Sequence, residues 1–165
     1  MKKTLILSTL LFASSVFAND LKVEFTDSKW DGITIPKDEV CSNYNTKAGS
    51  TPALRISNIP KNTTKIIFTY NDKTFIKMDN GGHGILSYKV NASEVEVPAL
   101  KGETLELTDG FEEVTAHTGT RFKKTPGVYL APCSGGKENT YTVNINAVDA
   151  SNNSLANTEL VLGKF

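Results

Sequence analysis

The sequence is poor in most of the groups that metal centres, nucleic-acid surfaces and membrane spans require. Among 165 residues there are two cysteines and two histidines. None is spaced as C-x2-C or H-x3-H, so no closed metal set is expected. Neither sign of charge dominates, with 18 basic residues against 18 acidic ones. Nucleic acid requires a basic face and an anionic membrane attracts one, so neither is an expected partner. Past the N-terminus, no apolar run approaches the ~18 residues of a membrane-spanning helix. No segment sustains a 3.6-residue apolar period, so any helix is short. Charge tails, low-complexity tracts and clear repeats are missing as well.

What is present begins with MKKTLILSTLLFASSVFA. Lys2 and Lys3 make a positive start, Leu5 to Phe12 an apolar centre, and Val16 and Ala18 the small residues before a cleavage site. This pattern predicts a signal peptide over residues 1–18 and a product in the periplasm or secreted medium. The apolar centre is too short for an anchor, and no cysteine follows the cleavage site to carry a lipid. Residues 19–165 then form a single domain, slightly acidic because the two lysines leave with the leader.

Within that domain, period-2 alternation and β-branched residues dominate. LKVEFT (21–26), ALRIS (53–57), TKIIFTY (64–70), ILSYKV (85–90), EVEVP (94–98), TLELT (104–108) and TYTVNINAVDA (140–150) read as strands. In the last, Tyr141, Val143, Ile145 and Ala147 share one face. Turn residues separate the runs, among them Asp31-Gly32, Asn80-Gly81-Gly82 and Asp109-Gly110. The expected class is mainly β, with antiparallel pairing.

Three chemistries compete for GVYLAPCSGGKENTY (127–141). A phosphate-cradling loop fails on spacing. Ala131 stands where the first glycine belongs, Glu138 where a magnesium-binding hydroxyl belongs, and a strand rather than a helix follows. A nucleophilic Cys133 requires a base, and neither His83 nor His117 is placed by any spacing signature. An exported chain with Cys41 and Cys133 more simply forms one disulfide. A bridge closing so long a loop stabilises by up to about 4–5 kcal/mol, provided that the two Cα atoms come within reach. His117, in EEVTAHTGT, reads as an ordinary strand residue. His83, in DNGGHGI, has glycines that could let backbone approach a bound group. Asp72 lies across the expected hairpin from it, and a plain turn histidine is the alternative.

Several separated pieces then line up. WDGITIPKDEVC (30–41) carries Asp31, Gly32, Ile35, Pro36 and Cys41, and STPALRISNIP (50–60) carries Pro52, Leu54 and Pro60. Thr64-Lys65-Ile66, His83-Gly84-Ile85-Leu86 and Gly119-Thr120-Arg121-Phe122 follow. Tyr129, Pro132, Cys133 and Tyr141 come next, then Ala147-Val148-Asp149. In order and spacing, from about residue 23 to 163, these resemble the phosphatidylethanolamine-binding protein (PEBP) family in its bacterial Raf-kinase-inhibitor-like branch. The resemblance implies a large antiparallel sheet packed on a smaller one. It also implies a shallow pocket for phosphate-like anions or a phospholipid head group, with no cofactor. The implied ligand set is Asp72, His83, Pro132 and Tyr141, with Asn139 where the family has a second histidine.

The departures are specific. Asn71-Asp72-Lys73 replaces the family's D-P-D, Gly84 replaces the tryptophan after the histidine, and Ser134-Gly135 replaces a diproline. Asn139-Thr140 replaces the histidine and arginine before Tyr141. Only SNNSLAN precedes TELVLG, so the helix before the last strand is expected to be deleted or reduced. The expected function is a non-enzymatic binding or regulatory protein with a partly altered anion pocket. The first alternative is a protein-interaction or inhibitor module without a small-molecule site, and a Cys133-dependent hydrolase is the least favoured.

Overall fold

The structure, a computed structural model, describes residues 20–119 and 127–165. The leader expected over 1–18, and the part of the Gly119–Phe122 turn beyond Gly119, lie outside the described residues. Eight strands are formed: β1 (Lys22–Phe25), β2 (Leu54–Ser57), β3 (Lys65–Asp72), β4 (Ile85–Lys89), β5 (Glu94–Val97), β6 (Phe111–Thr115), β7 (Thr140–Val148) and β8 (Ser154–Lys164). They make two antiparallel sheets, β1-β2-β5 and β6-β4-β3-β7-β8. The only helix among the described residues is a single 3-10 turn at Ile76–Met78. None is long and apolar enough to cross a membrane.

Alternation explains the layering. Ile66 and Phe68 of β3 lie opposite Ala147 and Ile145 of β7, and all four are completely buried. Leu54 and Ile56 from the small sheet enter the same apolar cluster. Burying each such side chain stabilises by roughly 1.5–3 kcal/mol, which makes the two facing surfaces the main source of stability. The two cysteines join the segment between β1 and β2 to the segment before β7. Cys41 and Cys133 form a disulfide with Cα atoms 5.3 Å apart, and the Cys41 N–H donates to the Pro132 carbonyl at 3.0 Å.

Three expectations need correction. TLELT (104–108) is not a strand. It lies between turns at Gly102 and Gly110, its Leu105 is 64% exposed, and no neighbouring strand pairs with it. FEEVT (111–115) is a strand instead, although it shows no alternation. It is an edge strand, with Phe111 buried and the next four residues exposed. His117 lies just past that strand and ties its N–H to the Val128 carbonyl.

At the C-terminal end no helix precedes the last strand, and SLAN is already part of β8. Asp149 makes the reversal, since its Oδ1 accepts the N–H groups of Ser151 and Asn153 at 2.8 and 2.9 Å. Asn152 takes the left-handed conformation that asparagine tolerates. The hairpin therefore closes in a turn, and no room is left for a helix.

Candidate functional site

The site lies at one end of the large sheet and is assembled by backbone connections between distant segments. β3 ends at Asp72, and β7 begins beside it, with Tyr141 in register with Asp72. The β3–β4 turn brings His83 alongside, its N–H bonded to the Tyr70 carbonyl at 3.2 Å. GVYLAPC then passes through the core next to it. The Leu130 N–H donates to the His83 carbonyl at 3.0 Å, and His83 Nδ1 lies 2.7 Å from the Leu130 carbonyl oxygen.

A carbonyl can only accept, so Nδ1 carries a proton in either charge state. Nε2 has no partner among the described residues, yet no buried side-chain nitrogen or oxygen among them is unsatisfied. Nε2 is therefore the ring atom that meets the cleft. Burial pushes the imidazole below its ordinary pKa. The Leu130 bond and the charge of Asp72 oppose the shift, and His117 adds to it. At neutral pH Nε2 is an acceptor, and on protonation it becomes a donor.

Tyr141 stacks edge-on against this ring, with centroids 5.3 Å apart and planes at 90°. Its phenol oxygen accepts the Cys133 N–H at 3.1 Å. Burial raises its pKa, so it remains a neutral hydroxyl. Asp72 is 3% exposed, but its charge is answered on both oxygens. Oδ1 accepts the Thr74 and Phe75 N–H groups at 2.9 Å each, and Oδ2 accepts Asn139 Nδ2 at 2.6 Å. Asn139, which stands where the PEBP family has a second histidine, thus serves as the carboxylate's amide donor.

These groups face a cleft of about 450 Å³, to which Tyr44, Phe75, Ser134 and Lys137 supply the rim. Four of the five expected residues, Asp72, His83, Asn139 and Tyr141, line it. Pro132 does not. It borders a packing gap behind the Tyr141 ring that is too small for a water molecule. The rim was not anticipated. Lys137 belongs to the GGK run of the excluded phosphate loop, and Tyr44 carries no local signal at all.

The glycines around His83 have a different role from the one expected. A Cβ on Gly84 would lie 2.3 Å from the Val128 carbonyl oxygen, at a φ of +114°. One on Gly82 would lie 2.3 Å from Met78 Cα, and one on Gly81 would lie 2.5 Å from Ile85. They make room for the protein's own chain, and Gly84 in particular lets Val128 pass where a side chain would block it. At the rim, Gly135 (φ +74°) leaves space for the Tyr44 phenol, which would be 2.6 Å from a Cβ there.

A two-sheet β fold with a cleft at the strand ends, built on a buried Asp-His-Tyr set, defines the class. No protein-family model matches the chain, and no curated protein sequence matches it either. Among solved structures it is similar to the crystal structure of a protein from Chlamydia trachomatis D/UW-3/CX described as a putative PEBP homolog. The identity is 17%, over 89% of this chain and 97% of that one, with a TM-score of 0.57. At that identity the likeness establishes the fold, which is PEBP-like.

Proposed function

We propose that the protein is an exported, non-enzymatic binding protein whose cleft takes a small phosphate-like anion, free or on a lipid head group. The observation that carries this reading is the asymmetry of the cleft's polar groups. Its one carboxylate, Asp72, is occupied by three N–H donors. The groups left to a ligand are His83 Nε2, the Tyr141 hydroxyl and the Lys137 ammonium, which has no ion-pair partner among the described residues. Once His83 is protonated all three are donors, the complement of an oxyanion.

The leader pattern and the Cys41–Cys133 bridge are both consistent with an oxidising compartment. The bridge also leaves Cys133 without a thiolate, which argues against the hydrolase reading. A free-thiol assay under native, non-reducing conditions is expected to find no reactive cysteine.

The test of the anion reading is thermal melting with inorganic phosphate and with phosphorylethanolamine. Ligand that binds only the folded chain raises its stability by RT ln(1 + [L]/Kd). A rise in Tm that is lost in His83→Ala supports the proposal, and no rise at about 10 mM of either ligand overturns it.

A second reading has its own support. Tyr44 (52% exposed) and Phe75 (49%) present large apolar side chains at the cleft, and Ile76 (76%) follows Phe75 in the chain. A protein partner would cover them, as in an inhibitor module. Capture of a partner that survives His83→Ala but not Ile76→Asp would favour this reading.

A further inference from the structure

The large sheet has two edges, and they are built differently. β6 is five residues long and carries Glu112 and Glu113, with Glu112 paired to Lys89 at 2.7 Å. Short length and charge are the usual protections of an edge strand. β8 is eleven residues long, contains no proline, and has one charged side chain, Glu159, before its terminal Lys164.

The ladder shows which backbone groups of β8 are unused. Thr64 and Lys73 donate to the carbonyls of Val148 and Thr140, so the even-numbered residues of β7 face β3. The odd ones, Val143, Ile145 and Ala147, therefore face β8, where their partners are Leu160, Thr158 and Ala156. The N–H and C=O groups of the alternate residues Asn157, Glu159 and Val161 then point away from the sheet. Past Val161 the edge is closed. A Cβ on Gly32 would lie 3.2 Å from the Val161 oxygen, and Lys164 bonds to Ile33 and Ile35. No backbone bond from Asn157 or Glu159 to another described segment fills the open stretch.

That stretch is self-complementary. Reversed about Thr158, Leu155-Ala156-Asn157-Thr158-Glu159-Leu160-Val161 places Leu155 opposite Val161, Ala156 opposite Leu160, and Asn157 opposite Glu159. Apolar side chains meet apolar ones on both faces, and the single carboxylate meets an amide rather than its own copy. Antiparallel pairs of this kind stabilise, whereas directly opposed like charges do not.

We propose that the protein forms a two-fold dimer by antiparallel pairing of β8 with β8 of a second copy, centred on Thr158. Asn157 and Glu159 exchange backbone hydrogen bonds with Glu159 and Asn157 of the partner, joining the two five-stranded sheets into one. The contact is short, because Gly32 stops it at one end and the β8 bulge near Leu155 turns the hairpin away at the other. No residue of β8 lines the cleft, so the clefts stay free.

Sedimentation of the full chain, expressed with residues 1–18 in place and purified as it is processed, tests this. The expected result is a monomer–dimer equilibrium with Kd of about 1–100 µM. Asn157→Pro removes an outward N–H that makes no internal bond, so it should fold and be monomeric. Asn157→Glu sets like charges opposite Glu159 without changing the backbone, and should also dissociate the dimer. Combining it with Glu159→Lys should restore the dimer, because each introduced carboxylate then faces an introduced ammonium across the two-fold axis. A monomer up to about 1 mM overturns the proposal. So does a dimer that persists in folded Asn157→Pro or Asn157→Glu. Concentration-dependent hydrogen-exchange protection should fall on the Asn157 and Glu159 amides. If they stay unprotected in the dimer, the interface lies elsewhere and the proposal fails.

Discussion

The floor and the rim of the cleft differ in kind. Asp72, His83 and Tyr141 on the floor are at most 3% exposed, and each is held by hydrogen bonds to other segments. The rim is made of Tyr44, Phe75 and the glycine-bearing loop at Ser134–Lys137, where side chains are half-exposed or exposed and hold fewer partners. The floor therefore serves stability and ligand geometry together, while the rim is free to vary with the ligand or partner. The departures from the PEBP pattern at Ser134-Gly135 fall on the rim. Asn139 falls on the floor, and there it keeps a donor on Asp72.

If this division is right, changes near the floor move the melting temperature and changes at the rim move only binding. The largest effect is expected at the staple joining the two. Cys41→Ser with Cys133→Ser opens a link between residues 92 apart, with a loss of up to about 4–5 kcal/mol in chemical denaturation. A loss under about 1 kcal/mol would mean that the floor holds the rim without it.

Gly84→Ala comes next. It sets a methyl group against the Val128 carbonyl at a positive φ, for a cost of about 2–4 kcal/mol. Denaturant midpoints check this, and a neutral result would show that Val128 can shift.

His83 gives a smaller effect with a definite sign. Burial lowers its folded pKa below 6.5, against the Leu130 bond and the Asp72 charge. As pH falls, the unfolded chain takes up this proton first. The contribution is complete above the unfolded value of about 6.5 and is lost as pH falls from there toward the folded value. His83→Gln should flatten that part of the stability curve. Protection by phosphate should run the opposite way and grow as pH falls, because only protonated His83 donates from Nε2. If both quantities move together with pH, the ligand does not contact His83.

The smallest effect on folding is expected from Lys137→Ala, within about 0.5 kcal/mol. It should nevertheless weaken phosphate protection. Weakened folding with unchanged phosphate protection would place Lys137 in the scaffold and sink its role at the rim.

Much of the fold was legible because burial and alternation are local signals. β7 could be read directly, since Val143, Ile145 and Ala147 must all point into one core. Edge strands gave no such signal. FEEVT has one buried residue, and TLELT alternates without a partner to pair with. At the site, the resemblance to the PEBP family pointed to Asp72, His83 and Tyr141, and the fold brings the three to one cleft. Tyr44 was not legible, because its place at the cleft rests on distant partners, among them the space left at Gly135 and the Phe165 ring. The glycines beside His83 were visible but open to misreading, since a sequence does not show what a Cβ would strike.

The sequence by itself determined the strand-rich class, the antiparallel order and the residue types available to the cleft, because side-chain direction and turn chemistry are properties of neighbouring residues. Tertiary structure alone decided that Asp72 spends its charge on Thr74, Phe75 and Asn139, and that His83 keeps only Nε2 for the cleft. It also decided that β8 leaves one stretch of edge unpaired. Each of these depends on which distant backbone group occupies the last hydrogen-bonding position, and only the packed chain specifies that.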